Sequence, residues 1–266
     1  MAQSAAITPS LYTLQWGQTA DKNYEIGIGY VALYPKATTA TADTSYQAGS
    51  AWQGVSAINE STEGGEYTSV YADNIEYLKL LSNEEFGFTI EAYTSPSAFY
   101  PCDGKTVADI GDVTNSVPVP GMYLYGQERQ KFGIAYITDM GQDGSLNASK
   151  LHIIYEAKAK PSSRDNQTIN EDPEAVTFSW ECETEGIDVT ALIAGATNKT
   201  AHIIIEGPGT GKISQAKWDA LLTYMFGDGT SNGYLPNPTK IATLLGVSQV
   251  SGVDKVSTST SSKSSK

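Results

Sequence analysis

The chain has 266 residues, which is enough for one or two domains with an ordinary hydrophobic core. Only 18% of the residues are charged, whereas 25 are glycine and 16 are tyrosine, a composition that favours β-structure over a coiled coil or helical bundle. The 30 acidic and 17 basic residues give a net charge of −13, which argues against a protein that grips DNA or RNA but not against one that handles DNA without holding it.

The first half of the chain predicts strands joined by turns. Residues 24–34 alternate and end at Pro35, whereas residues 36–50 are rich in Thr and Ala and predict a long, flexible loop. Strand patterns return from Trp52 through 55–58, break at Gly64-Gly65, and flank Asp73-Asn74, a pair typical of a hairpin turn. Residues 86–93 predict another strand. Residues 95–121, rich in Pro, Gly and Asp, predict a connecting loop with room for one short helix.

The second half adds strands and then changes to a helical period. Residues 122–125, 131–137, 150–159, 175–184 and 200–206 predict strands. Ser214 is a suitable N-cap for a helix that Gly227 ends and whose apolar stripe is Trp218, Leu221, Leu222 and Met225. A short helix over 238–245 has Asn237 as its cap and Gly246 at its end.

Together these patterns predict a mainly β fold, an antiparallel β-sandwich or barrel with one or two flanking α-helices. We expect a single domain over residues 1–249 and a flexible Ser/Thr/Lys-rich tail over residues 250–266. No signal peptide and no membrane span are expected, and Cys102 and Cys182 are expected to be free thiols because their spacing suits neither zinc nor a redox motif.

Two sequence features suggest chemistry but fit it poorly. The run from Gly207 to Lys212 resembles a phosphate-binding loop, yet Glu206 and Ile213 stand where that motif needs Gly and Ser or Thr. The only histidines, His152 and His202, lie in predicted strands, each with a Glu four residues later on the same face, and no further ligand is apparent. We therefore expect no catalytic residue, no cofactor and no metal site.

An acidic run over residues 178–185 is more informative. A two-residue period places Phe178, Trp180 and Cys182 on one face and the carboxylates on the other, namely Glu181, Glu183 and Glu185. Such a row needs water or cations beside it. It therefore predicts either a solvated outer face or an acidic wall that lines a channel, and a glycosidase built on this strand is a further alternative.

An ordered set of segments resembles one protein family. The segments are Tyr71-Ala-Asp-Asn74 within residues 66–77, then 84–86, 89–93, 126–133, 150–155, 161–162, 168–174, 178–180, 200–203, the helix around Trp218, and 235–238. In this order they resemble the major tail proteins of long-tailed, non-contractile bacteriophages. The resemblance covers roughly residues 52–246, whereas residues 1–50 depart from the family pattern.

The resemblance implies a structural subunit of the phage tail tube and no enzyme. Such proteins fold as a β-sandwich or barrel, form hexameric rings, and stack around a tape-measure protein between the tail terminator and the distal tail proteins. The tube would be part of the virion, assemble in the host bacterial cytoplasm, and pass duplex DNA without binding it specifically. In that setting, Glu181, Glu183 and Glu185 are candidates to face the lumen.

A binding module is the alternative from a different class. The 16 tyrosines and four tryptophans could form sugar-binding platforms of a carbohydrate- or receptor-binding β-module in a tail tip or on a cell surface. A hydrolase that uses the acidic strand is the third possibility.

Overall fold

The computed structural model describes residues 23–246, except 83, 113, 143–144, 163–174, 197–198 and 210–211. The mainly β, antiparallel fold with flanking helices is confirmed. The predicted C-terminal tail and residues 1–22 of the divergent N-terminal segment lie outside the described residues. The elements are β1 Asn23–Pro35, β2 Ser50–Ala51, β3 Val55–Glu63, β4 Tyr67–Ala72, β5 Ile75–Leu81, β6 Glu85–Ala92, β7 Thr106–Ile110, β8 Val117–Leu124, β9 Phe132–Gln142, β10 Ser145–Ala159, β11 Phe178–Thr184, β12 His202–Glu206, α1 Gln215–Phe226 and α2 Pro238–Leu244.

The main sheet has eight strands, which pair in the order β2-β1-β9-β10-β11-β6-β3, with β12 also paired to β10. Strand β10 joins two layers. Its residues 150–154 pair with β12 in the first layer, which also contains β1, β2 and β9, whereas its residues 157–159 pair with β11 in the second layer, which also contains β6 and β3. An extra residue between Ile154 and Ala157 forms a β-bulge there, and Glu156 adopts a left-handed backbone (φ 49°). Because bulges bend and twist strands, the sheet folds over itself at this point into an open sandwich.

The core between the two layers is aromatic. Trp52, Phe99 and Trp180 have ring centroids 4.6–5.6 Å apart, and Phe88, Ile90 and Ile134 are fully buried beside them. The cysteines are confirmed as free thiols inside this core. Burial raises the pKa of Cys102 to about 12 and also raises that of Cys182, so both stay protonated and unreactive.

A second apolar cluster lies between the helices and the outer face of the first layer. Trp218, Leu221 and Met225 of α1 are buried there, as the predicted stripe requires, against Leu151 and Ile153 of β10. The predicted cap of α2 is confirmed, since the Asn237 side chain accepts a hydrogen bond from the Lys240 N–H at 2.8 Å. Ser214 occupies the N-cap position of α1, but its side chain makes no capping hydrogen bond.

The prediction that residues 95–121 form a connecting loop with one short helix is correct for the helix but wrong for residues 106–110 and 117–121, which form strands. A short 3₁₀ helix spans Ser97–Phe99, and β7 and β8 then form a hairpin in which Asp109 pairs with Pro118. The two prolines of β8 suggested a loop, yet a strand with a free edge tolerates residues that cannot donate to a ladder. The predicted strand over 122–125 is the end of β8.

The loop over residues 36–50 packs more closely than its composition indicates. Thr44 and Tyr46 are buried, and the Thr44 hydroxyl donates to the Leu235 carbonyl at 2.6 Å. The Tyr46 hydroxyl donates to a carboxylate oxygen of Glu156 at 2.9 Å and accepts the backbone N–H of that residue at 3.0 Å. The loop is therefore joined both to the bulge and to the segment before α2.

Candidate functional site

Two β-hairpins form sheets of their own, separate from the sandwich. The first arm, formed by β4 and β5, continues the β3–β6 hairpin past Gly64 and Gly65, which both have positive φ and break the ladder as predicted. Its tip is the predicted Asp73-Asn74 turn, in which φ is 52° and 63°. The exposed large side chains of this arm are Tyr67, Val70, Tyr71, Ile75, Tyr77, Leu78 and Leu80.

Apolar side chains lie on both faces of the first arm. Val70 pairs with Leu78 and Thr68 pairs with Leu80, so these apolar residues share one face, whereas Tyr67 lies on the other. Tyr67 and Tyr77 expose 68% and 69% of their surface. An isolated two-stranded hairpin is marginally stable in water, and an exposed apolar patch is typical of an interaction surface.

The second arm, formed by β7 and β8, has the same character. Its terminal pair, Ile110 and Val117, is 62% and 65% exposed. At its base the Lys105 ammonium lies 3.6 Å from the ring centroid of Tyr100 and 3.9 Å from that of Tyr123. These cation–π contacts fix the arm to the segment that follows the 3₁₀ helix.

The outer face of the second layer is polar. Two rows of paired residues cross β3, β6 and β11, namely Asn59–Thr89–Glu181 and Ser61–Gly87–Glu183. The alternation predicted for residues 178–184 is confirmed, because Trp180 and Cys182 are buried whereas the side chains of Glu181 and Glu183 are 60% and 71% exposed. We call this surface, with Glu91 and Ser179, the polar face.

Lysines accompany the predicted acidic row. Lys160 forms ion pairs with Glu181 and, at 2.9 Å, with Glu183, and hydrogen bonds from it to these two carboxylates raise its pKa. Glu185 lies just beyond the end of β11 and pairs with Lys131, whose hydrogen bond lowers the pKa of Glu185. The structure thus brings Glu181 and Glu183 together around one lysine and gives Glu185 a different partner.

A cluster of Glu60, His152 and His202 joins the two layers and was not expected from the sequence. Glu60 is on the inward face of β3, since its partner on β6 is the buried Phe88. His152 of β10 and His202 of β12 are diagonal neighbours on the inward face of the other layer. One donor atom from each of the three residues lies within 4.8 Å of the other two.

Side-chain contacts connect the members of the cluster to one another and to their neighbours. His152 Nδ1 lies 3.2 Å from His202 Nε2 and 3.3 Å from Glu60 Oε1. His152 Nε2 lies 3.1 Å from the hydroxyl of Thr138, which donates to Glu25 at 2.6 Å. The Tyr136 hydroxyl donates to Glu60, and the Tyr136 ring stacks on His152 with centroids 4.5 Å apart.

The surroundings of the cluster set its protonation. The hydrogen bond from His152 lowers the pKa of Glu60 to about 2, and burial lowers the pKa of His202. Partial burial works against ionisation of Glu25, but hydrogen bonds from Lys150 and Thr138 outweigh it and lower the pKa of Glu25. The carboxylates are therefore ionised and His202 is neutral at pH 7.

The prediction that each histidine shares a strand face with the Glu four residues later is correct for His202 and Glu206 of β12 but wrong for His152 of β10. The bulge in β10 shifts Glu156 out of phase with His152, and its carboxylate pairs with Lys36 and Tyr46. Glu206 pairs with Lys212 at 2.7 Å. Lys212 is the lysine of the glycine-rich run, and in this ion pair it binds a carboxylate of the chain itself. That the run binds no nucleotide remains a prediction.

Comparison with protein-family models and with curated protein sequences finds no match. Over the described residues, neither helix has the length and apolar character that a membrane crossing requires.

Proposed function

We propose that this protein is the structural subunit of a bacteriophage tail tube. In this proposal, hexameric rings of the chain stack around a tape-measure protein, and the finished tube conducts the genome. The tail terminator and distal tail proteins would be its partners at the two ends. Assembly would take place in the host bacterial cytoplasm, and the mature location would be the virion tail. The ordered resemblance over residues 52–246 suggests this role.

The two arms are the observation that carries the proposal. A monomer leaves the apolar side chains on both faces of the first arm in water, and the tip of the second arm is equally exposed. Burial of apolar surface contributes about 25 cal/mol per Å², so arms that pack on neighbouring copies would stabilise both the hairpins and the assembly. Closed rings would also pair free strand edges such as that of β3, which ends the hydrogen-bonded path of the sheet.

The polar face supports a conduit in particular. It presents short polar side chains and the carboxylates of Glu181 and Glu183, whose ion pairs hold the nearby ammonium of Lys160, and it lies on the layer opposite the helices. A wall that passes DNA has to avoid the lysine-rich contacts by which proteins hold phosphates. We therefore assign the polar face, with Glu181 and Glu183, to the lumen, so that duplex DNA passes without specific binding.

The arms can be tested with three substitutions of matched exposure. Ile75 on the first arm and Ile110 on the second are each 62% exposed, whereas Ile193, away from both arms, is 61% exposed. Ile75→Lys and Ile110→Lys should prevent ring and tube formation because a lysine at a packed contact loses its hydration. Ile193→Lys should assemble like the unchanged protein. Electron microscopy and light scattering at high protein concentration provide the measurement.

Hollow tubes of uniform width from the unchanged protein and the Ile193 variant, but not from the arm variants, would support the proposal. A protein that stays monomeric at every concentration would contradict it. A monomer that binds glycans would favour the carbohydrate-binding module instead, with the exposed tyrosines of the first arm as the sugar platform.

A further inference from the structure

We propose that Glu60, His152 and His202 form a binding site for a divalent transition-metal ion, with Zn²⁺ as the best match. This inference does not depend on the tail-tube proposal, because it rests on a side-chain cluster inside one subunit. The site would join β3 of one layer to β10 and β12 of the other. Its role would be structural, because the bound ion would cross-link the two layers.

The donor set fits this class of metal. Two imidazoles and one carboxylate are a common ligand set for Zn²⁺, and water completes the tetrahedron. Imidazole nitrogen favours zinc and its neighbours in the first transition row, whereas calcium and magnesium prefer sites made of oxygen alone.

Two of the separations between the donor atoms fit, and the third contact, from His202 Nδ1 to Glu60 Oε2, is 3.7 Å long. Bonds of about 2.0–2.1 Å to a tetrahedral zinc ion place its ligand atoms about 3.3 Å apart. His152 Nδ1 is 3.3 Å from Glu60 Oε1 and 3.2 Å from His202 Nε2. The two ring nitrogens point towards each other, so the His202 ring has to turn for its lone pair to meet the ion. His202 also borders a cavity of about 560 Å³.

The contacts of His152 direct its Nδ1 atom into the cluster. Its other ring nitrogen, Nε2, lies 3.1 Å from the Thr138 hydroxyl and 3.3 Å from a carboxylate oxygen of Glu25. Nδ1 faces a carboxylate oxygen of Glu60 and the Nε2 atom of His202. A metal ion would take the place of the hydrogen-bond proton between His152 and Glu60, and His202 would add a third donor at the same point.

The ligands are also held in place from outside. Metal-binding histidines usually direct their second ring nitrogen at a hydroxyl or carboxylate group, which fixes the orientation of the ring. Thr138 and Glu25 fill this role for His152, and Lys150 in turn binds Glu25 at 2.6 Å. Tyr136 donates to Glu60 and stacks on His152. His152 is only 5% exposed and the side chain of His202 11%, whereas the Glu60 side chain is 36% exposed, so the two histidines are buried and the carboxylate reaches the surface.

Zinc titration of the full chain tests the proposal. Isothermal titration calorimetry and elemental analysis should find one Zn²⁺ per chain, and zinc should raise the melting temperature until a chelator is added, since a ligand that binds only the folded state stabilises it. Bound Co²⁺ should give the visible absorption of a tetrahedral site.

Three substitutions of Glu by Gln distinguish zinc binding at this cluster from nonspecific zinc binding to surface carboxylates. Loss of a partner that orients a metal ligand typically weakens affinity by about 10–100-fold, so we expect that loss for Glu25→Gln and a larger one, at least about 100-fold, for Glu60→Gln. Glu63→Gln, at an exposed position at the end of the same strand as Glu60, should bind zinc normally. His202→Gln should abolish the tetrahedral Co²⁺ absorption.

Equal zinc affinity in the Glu60, Glu63 and unchanged proteins would overturn the proposal, as would the absence of saturable binding. The second result would mean that a proton alone holds the cluster together. Circular dichroism checks that each variant is folded. Because the titration uses the unassembled chain, its result does not depend on whether tubes form.

Discussion

The two outer faces of the sandwich differ in how far the chain covers them. The first layer is covered by α1, α2 and the loop over residues 36–50, which bury a second apolar cluster around Leu221 and Tyr155. The second layer presents the polar face to solvent, with short side chains and the carboxylates of Glu181 and Glu183. Helices and a loop of the same chain therefore bury the outer face of the first layer, whereas the polar face of the second layer is exposed to solvent.

This difference separates what stabilises the subunit from what is available for assembly. The helix-covered face contributes to folding of the single chain because its apolar surface is already removed from water. The polar face and the arms add little to the stability of the monomer. Their side chains can therefore change, and with them any contact to partners or passing DNA, without a large effect on folding. Substitutions on the two sides should therefore affect different measurements.

The largest effect on stability is expected under α1. Leu221 is fully buried, so Leu221→Ala removes apolar contacts and leaves a cavity, at a cost of about 2–5 kcal/mol in the free energy of unfolding. Urea unfolding followed by circular dichroism measures this loss. Leu80→Ala is the matched control, because Leu80 on the first arm is 56% exposed and its truncation should change monomer stability by less than about 0.5 kcal/mol. Equal losses in the two variants would contradict the comparison.

Local patterns predicted parts of both faces well. The stripe of α1, the cap of α2 and the alternation of residues 178–184 follow from periods of a few residues, and the structure has all three. The second arm was missed because Pro118 and Pro120 argue against a strand in the middle of a sheet. A two-stranded arm has free edges, and this property depends on the rest of the fold rather than on the local sequence.

A smaller effect is expected where the loop meets the bulge. Tyr46→Phe removes the hydroxyl that donates to the Glu156 carboxylate and accepts the Glu156 N–H, and leaves both groups without this partner. The expected cost is about 1–3 kcal/mol in the free energy of unfolding. Tyr30→Phe serves as the control, since Tyr30 is 78% exposed and should show no measurable change. If Tyr46→Phe unfolds at the same urea concentration as this control, the loop does not stabilise the bulge.

The Glu60, His152 and His202 cluster shows the limit of sequence reasoning more clearly than the arm. Each residue lies in a strand whose partners are distant along the chain, and only the pairing of β10 with β12 and the packing of β3 opposite them bring the side chains together. The bulge before Ala157 adds a residue that no periodicity reveals, and it moved Glu156 away from its predicted face. Strand order and bulges were the missing information in both cases.

The smallest effect on stability, with the most specific effect on function, is expected on the polar face. Glu181, Glu183 and Glu185 make exposed ion pairs with Lys160 and Lys131, and solvent screening leaves such pairs with little effect on stability. Replacing all three with Lys should therefore leave the subunit folded and able to assemble. Duplex DNA carries one negative charge per about 1.7 Å of its axis, so a lysine-lined wall would retain it.

Genome release from particles that carry the triple Lys variant should therefore be slower. Because the reach of a charge is about 8 Å at physiological ionic strength and shorter at higher salt, added salt should relieve the defect if these side chains face the passing duplex. The triple Gln variant is the matched control: it removes the carboxylates without adding positive charge, so its release should be closer to normal. Unchanged release kinetics in the Lys variant, or an assembled tube with these three side chains on its outside, would place the polar face away from the lumen. The covered and uncovered faces would then both belong to the exterior of the tube.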